Sequence, residues 1–338
     1  MVMTASVIVV VAGLRAAAPL FTPFALAVFI AIVSLPTLQF LRRFRLPTGL
    51  AILGIGVITA AILAFFSWIV LRTAMELRHE LPGYVTRVQE LEAVIRARLQ
   101  TWGLDLGPRD YSTFFEPERV IDFATSAALG VTSAATVFFL ILLFLIFILA
   151  ESVAIPDKLR RVYGTGTQGL TSGVVVLAQV QRYLVLKTLI SLVTGLAIGT
   201  GAAILGVDFA LFWGLLAFLL NYVPNIGSVI AAVPAVAVAL LQLGVAPALG
   251  LAAIFLTVNV VVGNFVDPIV IGRELRLSPL IVLMSLVFWG WVWGPVGMFL
   301  SVPLTIIVRI VLENTESLKR VAKMMGPVAE SAEGGPAG

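Results

Sequence analysis

Glycine, proline and asparagine interrupt the most apolar third of this chain at discrete places, and that conflict bounds what the chain can fold into. Between Phe209 and Leu312 the sequence reads FWGLLAFLLNYVPNIGSVIAAVP, then VNVVVGNFVDPIVIGRELRLSPL, then FWGWVWGPVGMFLSVPL. These runs are apolar enough for a bilayer, yet each breaker frees backbone N–H and C=O groups that hydrocarbon cannot satisfy. Such breaks survive at membrane depth only where protein or a water-filled cavity supplies partners. In transporters, interrupted hydrophobic segments point to the binding site. The pattern predicts a polytopic, all-α membrane protein that moves something across a bilayer, with broken or re-entrant C-terminal helices.

Composition agrees. Hydrophobic residues make up 60% and charged residues 12%, the latter about half the share in a soluble domain. Basic residues form short clusters between apolar runs rather than a stripe, which argues for loop charges that set topology and against nucleic acid. The absence of cysteine excludes thiolate metal sites and cysteine nucleophiles. The single histidine, His79, has no ligand partners nearby in sequence, so neither metal nor cofactor is expected. No Ser/His/Asp, HExxH or paired-carboxylate constellation points to an enzyme.

A helix needs about 20 apolar residues to cross. Segments 2–20, 21–41, 48–71, 126–150 and 188–206 meet that length. Segments 209–222, 228–243, 247–266, 279–290 and 295–312 are shorter or interrupted and fit re-entrant hairpins as well as crossings. The basic clusters Arg42/Arg43/Arg45, Lys158/Arg160/Arg161/Arg182/Lys187, Arg273/Arg276 and Lys319/Arg320/Lys323 then fall on one face. The positive-inside rule makes that face cytoplasmic, with both termini on it. Segment 73–122, with six Arg against nine acidic residues, lands outside. Leu77, Leu81, Tyr84, Val88, Leu91, Ile95 and Leu99 give it one apolar helical stripe, and Pro82 is expected to bend or restart that helix. The organisation predicted is N-terminal transmembrane helices over 1–72, a small extracytoplasmic helical subdomain over 73–122, a transmembrane helix and cytoplasmic linker over 123–187, a C-terminal transport core over 188–312 and a cytoplasmic tail over 313–338. The linker is expected to contain a helix end at Glu151 and a break at Pro156–Asp157.

Charge within a membrane is expensive and usually functional, and none falls near the middle of these predicted spans. What the interior holds is amide and backbone polarity. Asn221 and Asn225 flank Pro224 and precede Gly227. Asn259 lies within a helix, and Asn264 stands three residues before Asp267, on the same face if that helix is regular. Pro268 is expected to end it. These groups can hydrogen-bond a small hydroxylated solute or help dehydrate a cation; each can equally cap a broken helix or bond a neighbouring one. For Asp267, whose partner would be Arg273, Arg276, a proton or a transported cation, the alternatives are a structural ion pair and an ion-coupling site. A faint internal echo joins Gly227-SVIAAV-Pro234 to Gly297-MFLSV-Pro303, each glycine following a Trp-Gly segment. It predicts two related hairpins, broken near Pro234 and near Gly290, Gly294, Gly297 and Pro303. Trp289, Trp291 and Trp293 fit an interfacial aromatic belt.

These same stretches carry a family resemblance. LLAFLLNYVPNIGSVIAAVP (215–234), GNFVDPIVIGRELRLSPLIVLMSLVFWGWVWGPVGMFLSVPLTIIV (263–308) and RYLVLKTLISLVTG (182–195) resemble signature regions of the autoinducer-2 exporter (AI-2E) family of bacterial inner-membrane proteins. The resemblance implies a multi-span secondary carrier of the cytoplasmic (inner) membrane, without a bound cofactor and homo-oligomeric, a pentamer. Members of that family are described as exporters of the quorum-sensing signal or as sodium/proton antiporters. The expected function is therefore export of a small polar solute, specifically autoinducer-2, with cation/proton exchange as the rival. A non-transporting membrane scaffold is the alternative of another class.

Overall fold

The computed structural model describes residues 2–101, 117–163, 168–223, 226–270, 278–313 and 325, and every regular element among them is helical. In chain order these are α1 (Val2–Ala16), α2 (Ala18–Arg43), α3 (Thr48–Thr101), α4 (Pro117–Tyr163), α5 (Gln168–Ile204), α6 (Ala210–Leu220), α7 (Ile226–Leu243), α8 (Val245–Val261), a π-helical turn (Val262–Val266), α9 (Asp267–Val270) and α10 (Pro279–Glu313). Seven apolar segments among the described residues are long enough to cross a membrane: Ala18–Arg43, Thr48–Glu80, Ala134–Ile155, Ala178–Ile204, Ile226–Leu243, Val245–Val266 and Leu280–Arg309. The chain is a polytopic all-α membrane protein.

Several boundaries differ from the sequence reading. The first apolar run is a 15-residue helix that bends directly into α2 at Ala17, beside Pro19 in the first turn of α2, where a missing N–H does no harm. Helix α3 runs unbroken through Pro82 for 54 residues, about 80 Å at 1.5 Å per residue. Helix α4 continues past Glu151 and Pro156 to Tyr163. Helix α5 begins at Gln168 rather than 188, and its apolar span starts at Ala178. Arg182 and Lys187 therefore lie within a membrane-length helix, not in a linker. Residues 102–116 and the tail, Met325 apart, lie outside the described residues.

Small side chains let the helices approach. Ala27 and Ala31 of α2 and Ala51 of α3 pack against Ile141, Leu145 and Leu149 of α4, forming one core. A second core encloses Ala231, Ala235 and Ala239, which recur every fourth residue on one face of α7, with Trp213, Leu251 and Phe255. Between α5 and α6 the contact is backbone on backbone. A Cβ on Gly214 would lie 2.8 Å from the Gly195 carbonyl oxygen, and one on Gly199 would lie 3.3 Å from Gly214 Cα. This is the small-residue packing of membrane helices.

Two helical hairpins complete the C-terminal half. The chain reverses after α5 through Gly206 (φ 72°) and Phe209 (φ 61°), descends α6, turns at Asn221–Val223 and returns along α7. The 11 residues of α6 span about 16 Å, roughly half the hydrocarbon thickness. The second reversal is at Gly294 (φ 65°, ψ −147°), inside α10. The indole N–H of Trp289 donates to Thr305 Oγ1 at 3.1 Å, although 16 residues of straight helix would separate them by about 24 Å; α10 is thus two antiparallel arms. Tip two lies against the α1/α2 joint: Trp293 Nε1 donates to the Leu14 carbonyl at 3.2 Å, Trp293 stacks on Phe21, and the Arg15 guanidinium lies over Trp291. Tip one instead meets the middle of α2, where Phe29 packs against both Tyr222 and Phe299. The hairpins enter from opposite ends of α2 and overlap at its centre.

The open end of the first hairpin is tied to α3. The Tyr84 hydroxyl donates to Asp208 Oδ2 at 2.7 Å, and Arg87 Nη1 donates to the carbonyl of Leu241 at 3.0 Å and to that of Gln242. Gln242 in turn bridges the Asp208 N–H and the Gly206 carbonyl. Burial, then the hydrogen bond to Asp208, push the Tyr84 phenol well above its ordinary pKa, so it stays a donor.

Gly214→Leu is expected to force α5 and α6 apart, because backbone cannot yield as a side chain can. The cost should be at least that of ordinary overpacking, about 1–3 kcal/mol, read as a lowered thermal transition of the detergent-solubilised protein.

Candidate functional site

Facing the tip of the first hairpin, α5 carries a polar stripe. Lys187, Ser191 and Thr194 follow one another at spacings of four and three, on one helical face, and all three are buried. Tip one docks on this stripe. Asn221 Nδ2 donates to Ser191 Oγ at 2.9 Å, and the Tyr222 hydroxyl donates to Thr188 Oγ1 at 2.7 Å. Thr188 and Thr194 donate to carbonyls one turn back on α5, 2.7 and 3.0 Å away. The stripe is therefore satisfied without water at its edges. At its centre, Thr194, Asn221, Ser228 and Asn259 surround a cavity of about 10 Å³, closed on the apolar side by Phe255. That is room for about one water, so the chamber is shut. A far larger cavity, about 370 Å³, lies between α3, α5 and α6. Its lining, including Phe65, Phe66, Leu192, Leu211 and Phe218, is apolar and suits hydrocarbon, so size does not identify a polar path.

Tip geometry explains two glycines. A Cβ on Gly227 would fall 1.8 Å from the Leu220 carbonyl oxygen, and one on Gly297 would fall 1.9 Å from that of Trp289. In each hairpin the returning arm presses a glycine against a carbonyl of the arm before it, so the echo in the sequence is an echo in packing. Pro234 and Pro303, expected as breaks, lie inside α7 and α10. Gly290 stays helical, its missing side chain leaving room for Met298. The break itself is Gly294, since φ 65° is costly for any other residue. Pro224 and Asn225 lie outside the described residues.

The end of α8 is reorganised. Its helix widens into the π turn Val262–Val266, and the Asp267 N–H reaches back five residues to the Val262 carbonyl. Pro268 does not end the helix; it sits in the first turn of α9, where its missing N–H is tolerated. The wider turn also rotates positions relative to a regular helix. Asn264 therefore does not share the face of Asp267; it is exposed, whereas Asp267 turns inward. There Lys187 Nζ meets Asp267 Oδ2 at 3.1 Å. The Lys187 side chain is only 8% exposed and that of Asp267 29%. Lys187 stands nine residues into its apolar span, about 14 Å deep, near the middle of a 30 Å core. The ion pair weighed for Asp267 thus lies within the bundle, and among the described residues its partner is Lys187 rather than an arginine; Arg273 and Arg276 lie outside the described residues. The spacing Lys187-x3-Ser191-x2-Thr194 was the available signal, hidden by starting the span at residue 188. Asp267 Oδ1 and Ser301 Oγ are buried with no hydrogen-bond partner among the described residues.

A family model for AI-2E family transporters matches residues 4–317. The chain is 38% identical to the AI-2 transport protein TqsA of Escherichia coli (strain K12), over 96% of this chain and 94% of that protein. It is 35% identical to YhhT of the same strain, over 96% and 93%, and 34% identical to a Haemophilus influenzae protein, over 96% and 95%. The latter two are named for transport alone, with no solute.

Removing Lys187 would leave a buried carboxylate uncompensated, which typically costs about 3–5 kcal/mol. Lys187→Met is expected to lower the thermal transition of the solubilised protein accordingly. Adding Asp267→Asn to it should recover most of the loss.

Proposed function

This chain belongs to the AI-2E transporter family, and from that premise we propose that it exports a small polar solute, with autoinducer-2 as the specific substrate. The observation that carries the reading is an amide- and hydroxyl-lined chamber enclosed by the first hairpin, α5 and α8, with tip one docked on α5 hydroxyls. A solute that leaves water needs its hydrogen bonds replaced, and Asn221, Asn259, Ser191 and Thr194 offer neutral replacements without the cost of burying charge. A chamber with room for one water cannot hold such a solute. Transport then requires tip one to withdraw from the α5 stripe, opening the chamber. The similarity to TqsA, named for AI-2 transport, supports the choice of solute.

We place the protein in the bacterial cytoplasmic membrane with both termini inside. The basic clusters at the ends of α2 and in the tail support this orientation. A second reading, exchange of a monovalent cation for protons, is favoured by one observation, the Lys187–Asp267 pair within the bundle, since ionisable groups at this depth commonly mark ion or proton pathways.

Inverted vesicles containing the purified chain are expected to accumulate autoinducer-2, and Asn221→Ala and Asn259→Ala should each raise the half-saturating concentration. One lost hydrogen bond, about 1–3 kcal/mol, corresponds to about 5- to 150-fold. Gradient-driven sodium flux without autoinducer-2 uptake would select the second reading instead. For orientation, Gln89→Cys in this cysteine-free chain should react with an impermeant maleimide in intact spheroplasts; labelling only after lysis would reverse the topology.

A further inference from the structure

Asp267 Oδ1 differs in its charge from the other buried oxygen without a partner among the described residues, the neutral Ser301 Oγ. Its sister Oδ2 is held by the Lys187 ammonium at 3.1 Å, while Oδ1 is shut away from solvent with no donor among the described residues. The oxygens around Asn221 are neutral and largely engaged with one another. Oδ1 is an anionic acceptor left open, set at the seam between a π turn and α9, a helix irregularity frequent at functional sites. A buried anionic acceptor gains more from a donor than any neutral oxygen does.

Two donors fit that need: a hydroxyl of the solute and a proton. They compete, because a proton on Oδ1 neutralises the carboxylate and replaces the strong charge-assisted bond from the solute hydroxyl with, at best, a weaker neutral one. We propose that Asp267 Oδ1 is the atom for which the exported solute and a proton compete, which makes export an exchange of solute for proton. This rests on the export reading above. The solute donates a hydroxyl to Oδ1 on the cytoplasmic side and leaves outside; a proton from the outer solution then binds Oδ1 and is released inside.

The surrounding charges keep this accounting simple. From α5, Lys187 and the Tyr183 phenol face Asp267, and Tyr183 also senses Tyr222 at tip one. The π turn and α8 carry no ionisable side chain. Both phenols are neutral near pH 7. With solute bound, Asp267 and Lys187 cancel. With a proton bound, the pair carries one positive charge. Each cycle that sends one neutral solute out and one proton in therefore moves one positive charge inward, so both the pH difference and the membrane potential drive it.

The test uses the full chain in proteoliposomes with autoinducer-2 as the probe. In wild-type counterflow at equal pH on both sides, competition raises the half-saturating concentration about tenfold per pH unit below the pKa of the site, with the plateau unchanged. Asp267→Asn, checked for monodispersity, is expected to show slower counterflow without pH dependence and no uphill transport on a proton gradient, and Asp267→Glu to retain both responses. A well-folded Asp267→Asn protein with the wild-type pH response overturns the proposal, as does wild-type transport indifferent to pH or a plateau that falls at constant half-saturation. Should Asp267→Asn fail to assemble, the wild-type counterflow decides alone. Wild-type protein that carries no autoinducer-2 at all overturns the export reading, and this inference with it.

Discussion

A helix that ends halfway through hydrocarbon leaves up to four carbonyls facing an environment with no donors. The architecture of the C-terminal half answers that constraint. At tip one the chain closes its own turn, with Val223 N–H on the Leu220 carbonyl and Gly227 N–H on that of Val223. The Asn221 and Tyr222 side chains are docked on α5 hydroxyls. The turn can be this tight only because Gly227 has no side chain. The Gly195–Gly199–Gly214 contact performs the same service along the arm, bringing α6 close enough to α5 for the hydroxyl stripe to be within reach. The alanine face of α7 closes the other side.

The same arrangement explains why polar chemistry collects on α5. A helix that receives a re-entrant tip must offer acceptors to it, and these are the residues a polar solute would use in the tip's place. On the export reading, structural and transport roles for Asn221 and Ser191 are therefore not alternatives. One set of hydrogen bonds is made to the tip in the closed chamber and would become available if the tip left, as that reading requires. The Lys187–Asp267 pair has a similar double character. It fastens the distorted end of α8 to α5, and in the exchange proposed above it is also where solute and proton compete.

Much of this was legible in the residues. Breakers within apolar runs announced hairpins, and the parallel between Gly227 and Gly297 announced two of the same design, although only contact distances could show that both glycines meet a carbonyl. Asn221 and Asn259 stood out because amides are rare among such neighbours. Other features were not legible, for identifiable reasons. Lys187 reads as a loop charge as long as Gln179, Gln181 and Arg182 are taken to end a span, and only its carboxylate partner, 80 residues away, makes it tenable inside. Pro234 and Pro303 read as breaks because proline usually is one, yet both are absorbed into helices. The π turn leaves no composition signal, so Asn264 was placed on the wrong face. The tie from Tyr84 to Asp208 spans 124 positions and has no local signature.

That tie gives α3 a mechanical consequence. It is a single rod from Thr48 to Thr101, held within the bundle at one end and fastened at Tyr84 and Arg87 to the open end of the first hairpin, at Asp208 and at the last turn of α7. If the hairpin shifts sideways while these bonds hold, the rod must tilt about its lower end. Its far end then sweeps about half as far again as the point of attachment, because helix length is proportional to residue number. A small displacement buried in the membrane is thereby amplified at Thr101, and a load applied to that end is felt by the hairpin with corresponding leverage.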